Sequence, residues 1–107
     1  MASREASIVQ GCIDEAHLWG AWVQKFHGSK WTSRGIPDLL ICMWGLLIAV
    51  ECKKPGAEPT ASQRLVHARI RRAGGTVIVA HSRAELRTSL VELAVRMNRR
   101  VPPKAAA

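Results

Sequence analysis

The chain has 107 residues, enough for one domain with a single buried core, and its 48% of apolar residues excludes a disordered polypeptide. Its 16 Lys and Arg against 8 Asp and Glu give a formal net charge of +8, which favours a polyanionic partner, most simply nucleic acid; the alternative is a solubilising surface without chemistry. Three cysteines without a Cys-x-x-Cys pair exclude a disulfide framework and a zinc cluster, and we expect Cys12, Cys42 and Cys52 to be buried in a reducing cytoplasm.

The first predicted element is a helix over Ser3–Leu18. Apolar residues recur there at helical spacing, and the Ser3 hydroxyl can cap the first turn. Glu5 lies one turn before the first apolar residue of that face, so we expect its carboxylate to face the protein. Asp14 and Glu15 lie off the apolar face and are expected in solvent.

A strand and a loop come next. The segment Ala21–Phe26 predicts the first strand, directly after Gly20, and we expect Trp19 and Trp22 in the core. Residues 27–35 are rich in Gly and Ser and are predicted to form a loop. Its hydroxyl and basic side chains suit contact with phosphate, although an ordinary polar surface loop has the same composition. The side chains concerned are Ser29, Lys30 and Arg34.

Two strands joined by a tight turn form the centre of the predicted fold. Asp38–Met43 and Leu46–Lys53 are almost entirely apolar, and the intervening two-residue turn ends at Gly45, which can supply a positive φ. Met43 then faces Leu46, and this pair determines the register of the whole hairpin. Because both faces of the hairpin are apolar, we expect central strands that are covered on both sides, at least in part.

The register brings three charged residues onto one face. Counting outward from the turn places Asp38 opposite Glu51, and Lys53 is two residues further along the same strand. Two opposed carboxylates at ~4 Å repel by roughly 4 kcal/mol at an effective dielectric of about 20, and a divalent cation reverses this. We therefore predict a Mg²⁺ site, with Mn²⁺ able to substitute, in which the backbone carbonyl of Cys52 supplies a further oxygen. A plain salt bridge at a sheet edge is the alternative.

The last third of the chain predicts helix, strand and helix. Thr60 and Gln63 form a capping-box pattern at the start of a helix that ends near Ala73. Thr76–Ala80 predicts a short buried strand, and Ser82 caps a final amphipathic helix. The buried face of the first of these helices is predicted to consist of Leu65, Val66, Ile70 and Ala73. No histidine is predicted to be catalytic, because the four have no ligand spacing between them: His17, His27, His67 and His81.

The element order α-β-β-β-α-β-α predicts an α/β domain, a mixed sheet flanked by helices, over residues 1–100. Residues 101–107 are predicted to be a flexible tail. Residues 1–10 lack a signal-peptide pattern, and the longest apolar run, Leu39–Val50, is too short to span a bilayer. We therefore expect a domain without a membrane segment.

Four segments resemble the VRR-NUC family of PD-(D/E)xK nucleases, in its small stand-alone phage and bacterial form: Arg34-Gly-Ile-Pro-Asp-Leu39, Val50-Glu-Cys-Lys-Lys-Pro55, Pro59-Thr-x-x-Gln63 and Ala73-Gly-Gly75. The resemblance implies a restriction-endonuclease-like core and a Mg²⁺-dependent phosphodiester hydrolase. Asp38 and Glu51 match the metal ligands of that family, and Lys53 matches its catalytic lysine. Glu5 matches the acidic residue of the first helix and is predicted to be a further metal ligand; the alternative is a first-turn acid favoured by the helix dipole. Gln63 matches the glutamine of the second helix and is predicted to be catalytic; the alternative is a residue that only closes the capping box.

The chain is also similar to the archaeal Holliday-junction resolvases, which are homodimers that cut four-way DNA junctions. That similarity implies a structure-selective endonuclease that acts on branched DNA as a homodimer. We expect no small-molecule cofactor, and a location in a bacterial cytoplasm or a phage-infected cell. A loop serine of those enzymes matches Ser29. We predict that DNA contacts come from Lys25, Ser29, Lys30, Arg34, Lys54 and Arg64.

Two other functions agree with the same sequence. The first is an enzyme of this class that acts on nicked, flapped or single-stranded DNA. The second is a non-catalytic DNA-binding module, in which the basic helix and the tail hold phosphate and the acidic pair is structural. The second function predicts binding with a steep salt dependence but no metal-dependent cleavage.

Overall fold

The computed structural model describes residues 4–26 and 34–105. In this part of the chain three helices and four strands follow in the predicted order, and their ends lie close to the predicted boundaries. Ser3, the predicted cap of the first helix, lies outside the described residues. The elements are α1 (Arg4–Leu18), β1 (Trp22–Lys25), β2 (Leu39–Met43), β3 (Leu46–Cys52), α2 (Ala61–Arg72), β4 (Thr76–Ala80) and α3 (Arg83–Arg96).

The strands form one mixed sheet in the order β1-β2-β3-β4. β1, β2 and β3 are antiparallel neighbours, whereas β4 returns through α2 to pair parallel with β3. The predicted hairpin register is confirmed, because Met43 pairs with Leu46 and Leu39 pairs with Val50. Trp44 and Gly45 both have positive φ angles, 56° and 77°, as a two-residue type I′ turn requires. The turn therefore determines which residues share each face of the hairpin.

The main core lies between the sheet and the pair α1 and α3, which pack against each other on one face. Leu39 and Ile41 of β2 and Ile48 and Val50 of β3 are fully buried there. They alternate with residues that point to the other face, as expected for strands covered on both sides.

The other face is covered only in part, by α2. Val66 and Ile70 are partly buried against the sheet, but Leu65, predicted to be buried, is 54% exposed. Ala73, also predicted to be buried, is exposed at the end of the helix. The one fully buried side chain of α2 is His67. The helix is therefore rotated about its axis relative to the orientation that its apolar residues predict.

Three further residues differ from the sequence prediction. Glu15, expected in solvent, is 3% exposed and accepts hydrogen bonds from three donors, one directly after α1 and two on α3. Trp22, expected in the core, is 57% exposed, and Cys42 is exposed as well. Trp22 pairs with Cys42, and Cys42 pairs with Leu47, so the three form one row across β1, β2 and β3 on the face that α2 covers in part.

The tail has neither helix nor strand over residues 101–105. The carbonyl of Pro102 accepts a hydrogen bond of 2.6 Å from Arg87 Nη2, so one point of the tail contacts α3. Residues 106–107 lie outside the described part of the chain. Within that part, none of the helices combines the length and the apolar character needed to cross a membrane.

Candidate active site

Asp38 and Glu51 meet at the end of the central hairpin. Asp38 directly precedes β2, opposite Glu51 of β3, in the register that the turn determines. The backbone N–H of Cys52 donates a hydrogen bond of 2.7 Å to Asp38 Oδ2. This bond holds the Asp38 carboxylate against β3, although Asp38 itself lies just outside the strand ladder. Glu51 is 1% exposed, whereas Asp38 is partly exposed.

The surroundings of Glu51 strongly disfavour its charge. Burial, the side-chain contact with Asp38 and the negative charge of Asp38 together raise the pKa of Glu51 to about 8. Lys53 acts in the opposite direction, and Glu5 adds a further negative charge. Without a cation, the Glu51 carboxyl is therefore mostly protonated at neutral pH. A bound cation would favour its ionised form.

Lys53 and Glu5 lie close enough to act on this pair. Lys53 is partly buried, and its charge lowers the pKa of Glu51. Glu5, in the first turn of α1, is partly buried too, and its charge raises that pKa. The sequence prediction that Glu5 faces the protein therefore agrees with its effect on Glu51.

Gln63 has two roles at the start of α2. Its side-chain oxygen accepts a bond of 2.8 Å from the Thr60 N–H, and Thr60 Oγ1 accepts a bond of 3.2 Å from the Gln63 N–H, which completes the predicted capping box. Because its oxygen is used there, its Nε2 group points to Glu51 and donates to Oε2 over 3.3 Å. The same side chain therefore closes the helix cap and contacts the acidic pair.

His67 is the site contact that the sequence prediction missed. It is 2% exposed, and its Nε2 lies 2.9 Å from Glu51 Oε1. Burial lowers the pKa of His67, and the charges of Arg71 and Lys53 lower it further. The available signal was its position four residues after Gln63, which puts both side chains on one face of a helix.

The donor set fits a small, hard divalent cation. Among the described residues no three His, Cys, Asp or Glu side chains converge into a complete metal cluster, so Asp38 and Glu51 would be the protein carboxylates. Mg²⁺ binds in this way, through one or two carboxylates completed by water and phosphate oxygens. The Cys52 N–H points to Asp38, and in an extended strand the carbonyl of the same residue points to the same side. That carbonyl is the further oxygen the sequence predicts.

The residues predicted to contact DNA do not all lie on the side of the sheet that carries Asp38 and Glu51. Arg34, Lys54 and Arg64 are exposed and directly precede or follow segments that carry site residues. Arg64 also donates to the Pro59 carbonyl. Lys25 is exposed but pairs with Leu39, on the face opposite to that of Asp38 and Glu51. Ser29 and Lys30 lie outside the described residues.

Known proteins similar to this chain are nucleases by name or by domain. "Putative nuclease p44" of Acyrthosiphon pisum secondary endosymbiont phage 1 is 40% identical over 80 residues, which are 74% of this chain and 84% of that protein. A solved structure of a VRR_NUC domain has a TM-score of 0.72 and 28% identity, covering 85% of this chain and 97% of that structure. No family model matches the chain. The fold, the element order and the phage relative agree with the four sequence segments, and the chain therefore belongs to the VRR-NUC family of nucleases.

Proposed function

We propose that this nuclease is a Mg²⁺-dependent endonuclease that hydrolyses phosphodiester bonds in DNA. The observation that carries the proposal is the buried Glu51 carboxyl in contact with Asp38, beside Lys53. Placing a buried carboxylate against a second carboxylate is unfavourable unless a cation joins them. The net charge of +8 favours the same substrate, because a polyanion is attracted to a basic domain.

Each side chain has a distinct part in the proposed reaction. Asp38, Glu51 and the Cys52 carbonyl would hold the cation, which when bound acidifies water and offsets the charge of the transition state. Lys53 would hold the attacking water or a phosphate oxygen through its ammonium group. Gln63 orients Glu51 through its side-chain amide. The exposed Arg34, Lys54 and Arg64 would hold the DNA backbone on either side of the scissile phosphate.

For the substrate we propose branched DNA, four-way junctions above all, cut by a homodimer. Two copies of the site related by a two-fold axis can cut two strands of a symmetric junction. The exposed row Trp22, Cys42 and Leu47 supports a dimer, since such apolar patches are typical of contact surfaces. We place the enzyme in the cytoplasm of a bacterium or a phage-infected cell, in line with its phage relative.

The first test uses a synthetic four-way junction with Mg²⁺ or with EDTA. We expect the wild type to cut the junction only in the presence of Mg²⁺. The cleavage rate should fall at least a hundredfold in Asp38→Asn and in Lys53→Ala, because each variant loses a contact that stabilises the transition state. Asp14→Asn and Lys104→Ala repeat the substitutions at exposed positions and should cut like the wild type. If Asp38→Asn and Lys53→Ala cut as fast as their controls, the assigned site is wrong.

The second test compares DNA structures under the same conditions. The substrates are a four-way junction, a nicked duplex, a flap, a single strand and a linear duplex of equal length. We expect the junction to be cut fastest. If the nick, the flap or the single strand is cut fastest, that structure replaces the junction as the proposed substrate, and the nuclease assignment stands. If the linear duplex is cut as fast as the junction, the enzyme is not selective for DNA structure.

A further inference from the structure

We propose that His67 is a positioning residue of the hydrolytic site, which holds one carboxylate oxygen of Glu51 through its Nε2–H and so orients Glu51 for the cation. The inference rests on the proposed function, because it names the residue that prepares the Glu51 carboxylate for that chemistry. The sequence alone places His67 on the helix face of Gln63, and its burial against Glu51 indicates the role.

The burial of His67 is unusual for its helix. α2 is mostly exposed, and its partly buried apolar residues, Val66 and Ile70, lie beside His67 on the sheet face. An apolar side chain at position 67 could be buried there without the cost of removing a polar group from water. A buried imidazole, in contrast, needs a hydrogen-bond partner. Its partner is Glu51, whose Oε1 lies 2.9 Å from Nε2. The contact therefore explains why a polar residue occupies the most buried position of the helix.

His67 and Gln63 divide the two oxygens of Glu51 between them. Gln63 Nε2 donates to Oε2 over 3.3 Å, and His67 lies at Oε1. Four residues apart, the two side chains project from one face of α2. Two contacts from one rigid helix leave the carboxylate little freedom to rotate, and its remaining side faces Asp38. Outer contacts of this kind orient metal-binding carboxylates in other proteins.

The geometry also assigns the proton of the imidazole. An ionised carboxylate only accepts hydrogen bonds, so the ring nitrogen that faces Glu51 has to carry hydrogen when Glu51 binds a cation. We therefore expect the Nε2 atom of His67 to carry a proton. Long-range ¹H–¹⁵N correlation spectra of the Mg²⁺-loaded protein distinguish the two tautomers, and a proton on Nδ1 alone would overturn the proposal.

Two variants of His67 separate hydrogen bonding from packing. His67→Leu keeps an apolar body of similar size without a donor, and His67→Gln places an amide N–H near the position of Nε2. We expect His67→Leu to weaken Mg²⁺ affinity of the DNA-free protein, measured by calorimetry, and the cleavage rate by about 10–100-fold each. His67→Gln should restore both to within roughly threefold of the wild type, since the donor is retained.

The control is His17→Leu, the same substitution at an exposed position of α1, which should leave both quantities unchanged. Circular dichroism identifies the variants that fold. A folded His67→Leu that binds Mg²⁺ and cleaves DNA like His17→Leu would overturn the proposal, and so would a folded His67→Gln as impaired as His67→Leu. A wild type that neither binds Mg²⁺ nor cleaves DNA would overturn the proposed function. A fully active wild type with an equally active His67→Leu variant would overturn the role of His67 alone.

Discussion

Two buried glutamates of this chain have opposite electrostatic surroundings. Glu15 accepts hydrogen bonds from Trp19 Nε1, Arg83 Nε and Arg87 Nη1 at 2.7, 2.9 and 3.1 Å. Burial raises the pKa of Glu15, but the bonds from Arg83, Trp19 and Arg87 outweigh burial and hold it below its ordinary value. Glu51 instead faces another carboxyl group, and its pKa rises. The contacts of Glu15 stabilise the fold, whereas the ionised form of Glu51 is unfavourable in its surroundings, as is typical of functional sites.

We predict that Glu15→Gln lowers the free energy of unfolding by about 2 kcal/mol at pH 7, because hydrogen bonds to a buried charge are lost. Since the folded pKa lies below that of an unfolded glutamate, about 4.3, the charge stabilises the protein above that pH, and its contribution is lost as the pH falls through the folded pKa. Urea unfolding at pH 7 and near pH 3.5 measures the difference between Glu15→Gln and wild type. The exposed control Glu92→Gln should be nearly neutral. A difference that stays constant down to pH 3.5 would assign the effect to packing instead.

At the scale of residues, the sequence predicts contacts that follow from local geometry and misses those that cross between elements. Asp38, Glu51 and Lys53 belong to one hairpin, so a turn and a count of residues suffice to bring them together. Glu15 is buried by side chains of α3, far away in the sequence. A helical wheel shows that a residue lies off the apolar face, but it cannot show that two arginines lie there.

At the scale of elements, α2 illustrates how polar contacts outweigh apolar pattern. The sequence predicts a buried face that includes Leu65, yet the helix turns Gln63 and His67 towards the sheet. The reason is that Glu51 offers both of them a partner in the sheet, while Leu65 is left exposed. An apolar periodicity could not predict this rotation, because the deciding partner lies on β3.

The double role of Gln63 can be separated by substitution. We predict that Gln63→Glu keeps the helix cap, since a carboxylate oxygen can still accept from Thr60 N–H, but loses the donor to Glu51 and adds a like charge. Junction cleavage should fall by roughly tenfold or more, and the melting temperature without metal should decrease. The matched control is Thr60→Ala, which removes the cap alone and should cost about 1 kcal/mol of stability with cleavage retained. Equal cleavage by Gln63→Glu and wild type would leave Gln63 with the capping role only.

Gly35 holds the segment before Asp38 against the start of α2. Its φ angle is +83°, and a Cβ atom there would lie 2.5 Å from the Ser62 carbonyl oxygen. Gly20 has a similar φ of +79° but no heavy atom within 4 Å of the corresponding position. We predict that Gly20→Ala costs about 1 kcal/mol from backbone strain. Gly35→Ala should cost clearly more and lower the cleavage rate, because the clash separates Asp38 from α2. Chemical unfolding and junction cleavage check this, and equal costs for the two variants would contradict it.

At the scale of the whole molecule, the two faces of the sheet serve different purposes. α1 and α3 pack on one face and form the core with it, while α2 covers the other face only in part. Phe26 and Leu47 are exposed on that side at 38% and 47%, and Trp22 at 57%. The apolar pattern of the strands predicted that both sides are covered, at least in part. That pattern agrees equally with a face that a second copy of the chain covers, and a single sequence does not distinguish the two.

The dimer that we propose can therefore be tested at Trp22. Trp22→Asp places a charge in the exposed row, and in a two-fold interface each copy would bring one such charge, so association should be lost. We predict a monomer by sedimentation, with junction cleavage reduced at least tenfold but Mg²⁺ affinity retained, because the acidic pair lies elsewhere on the sheet. Val95→Asp is the control, since Val95 of α3 is 72% exposed on the opposite side of the sheet, and that variant should remain dimeric and active. A wild type that sediments as a monomer while cutting both strands of the junction would show that each copy acts alone, and the row around Trp22 would then need another partner.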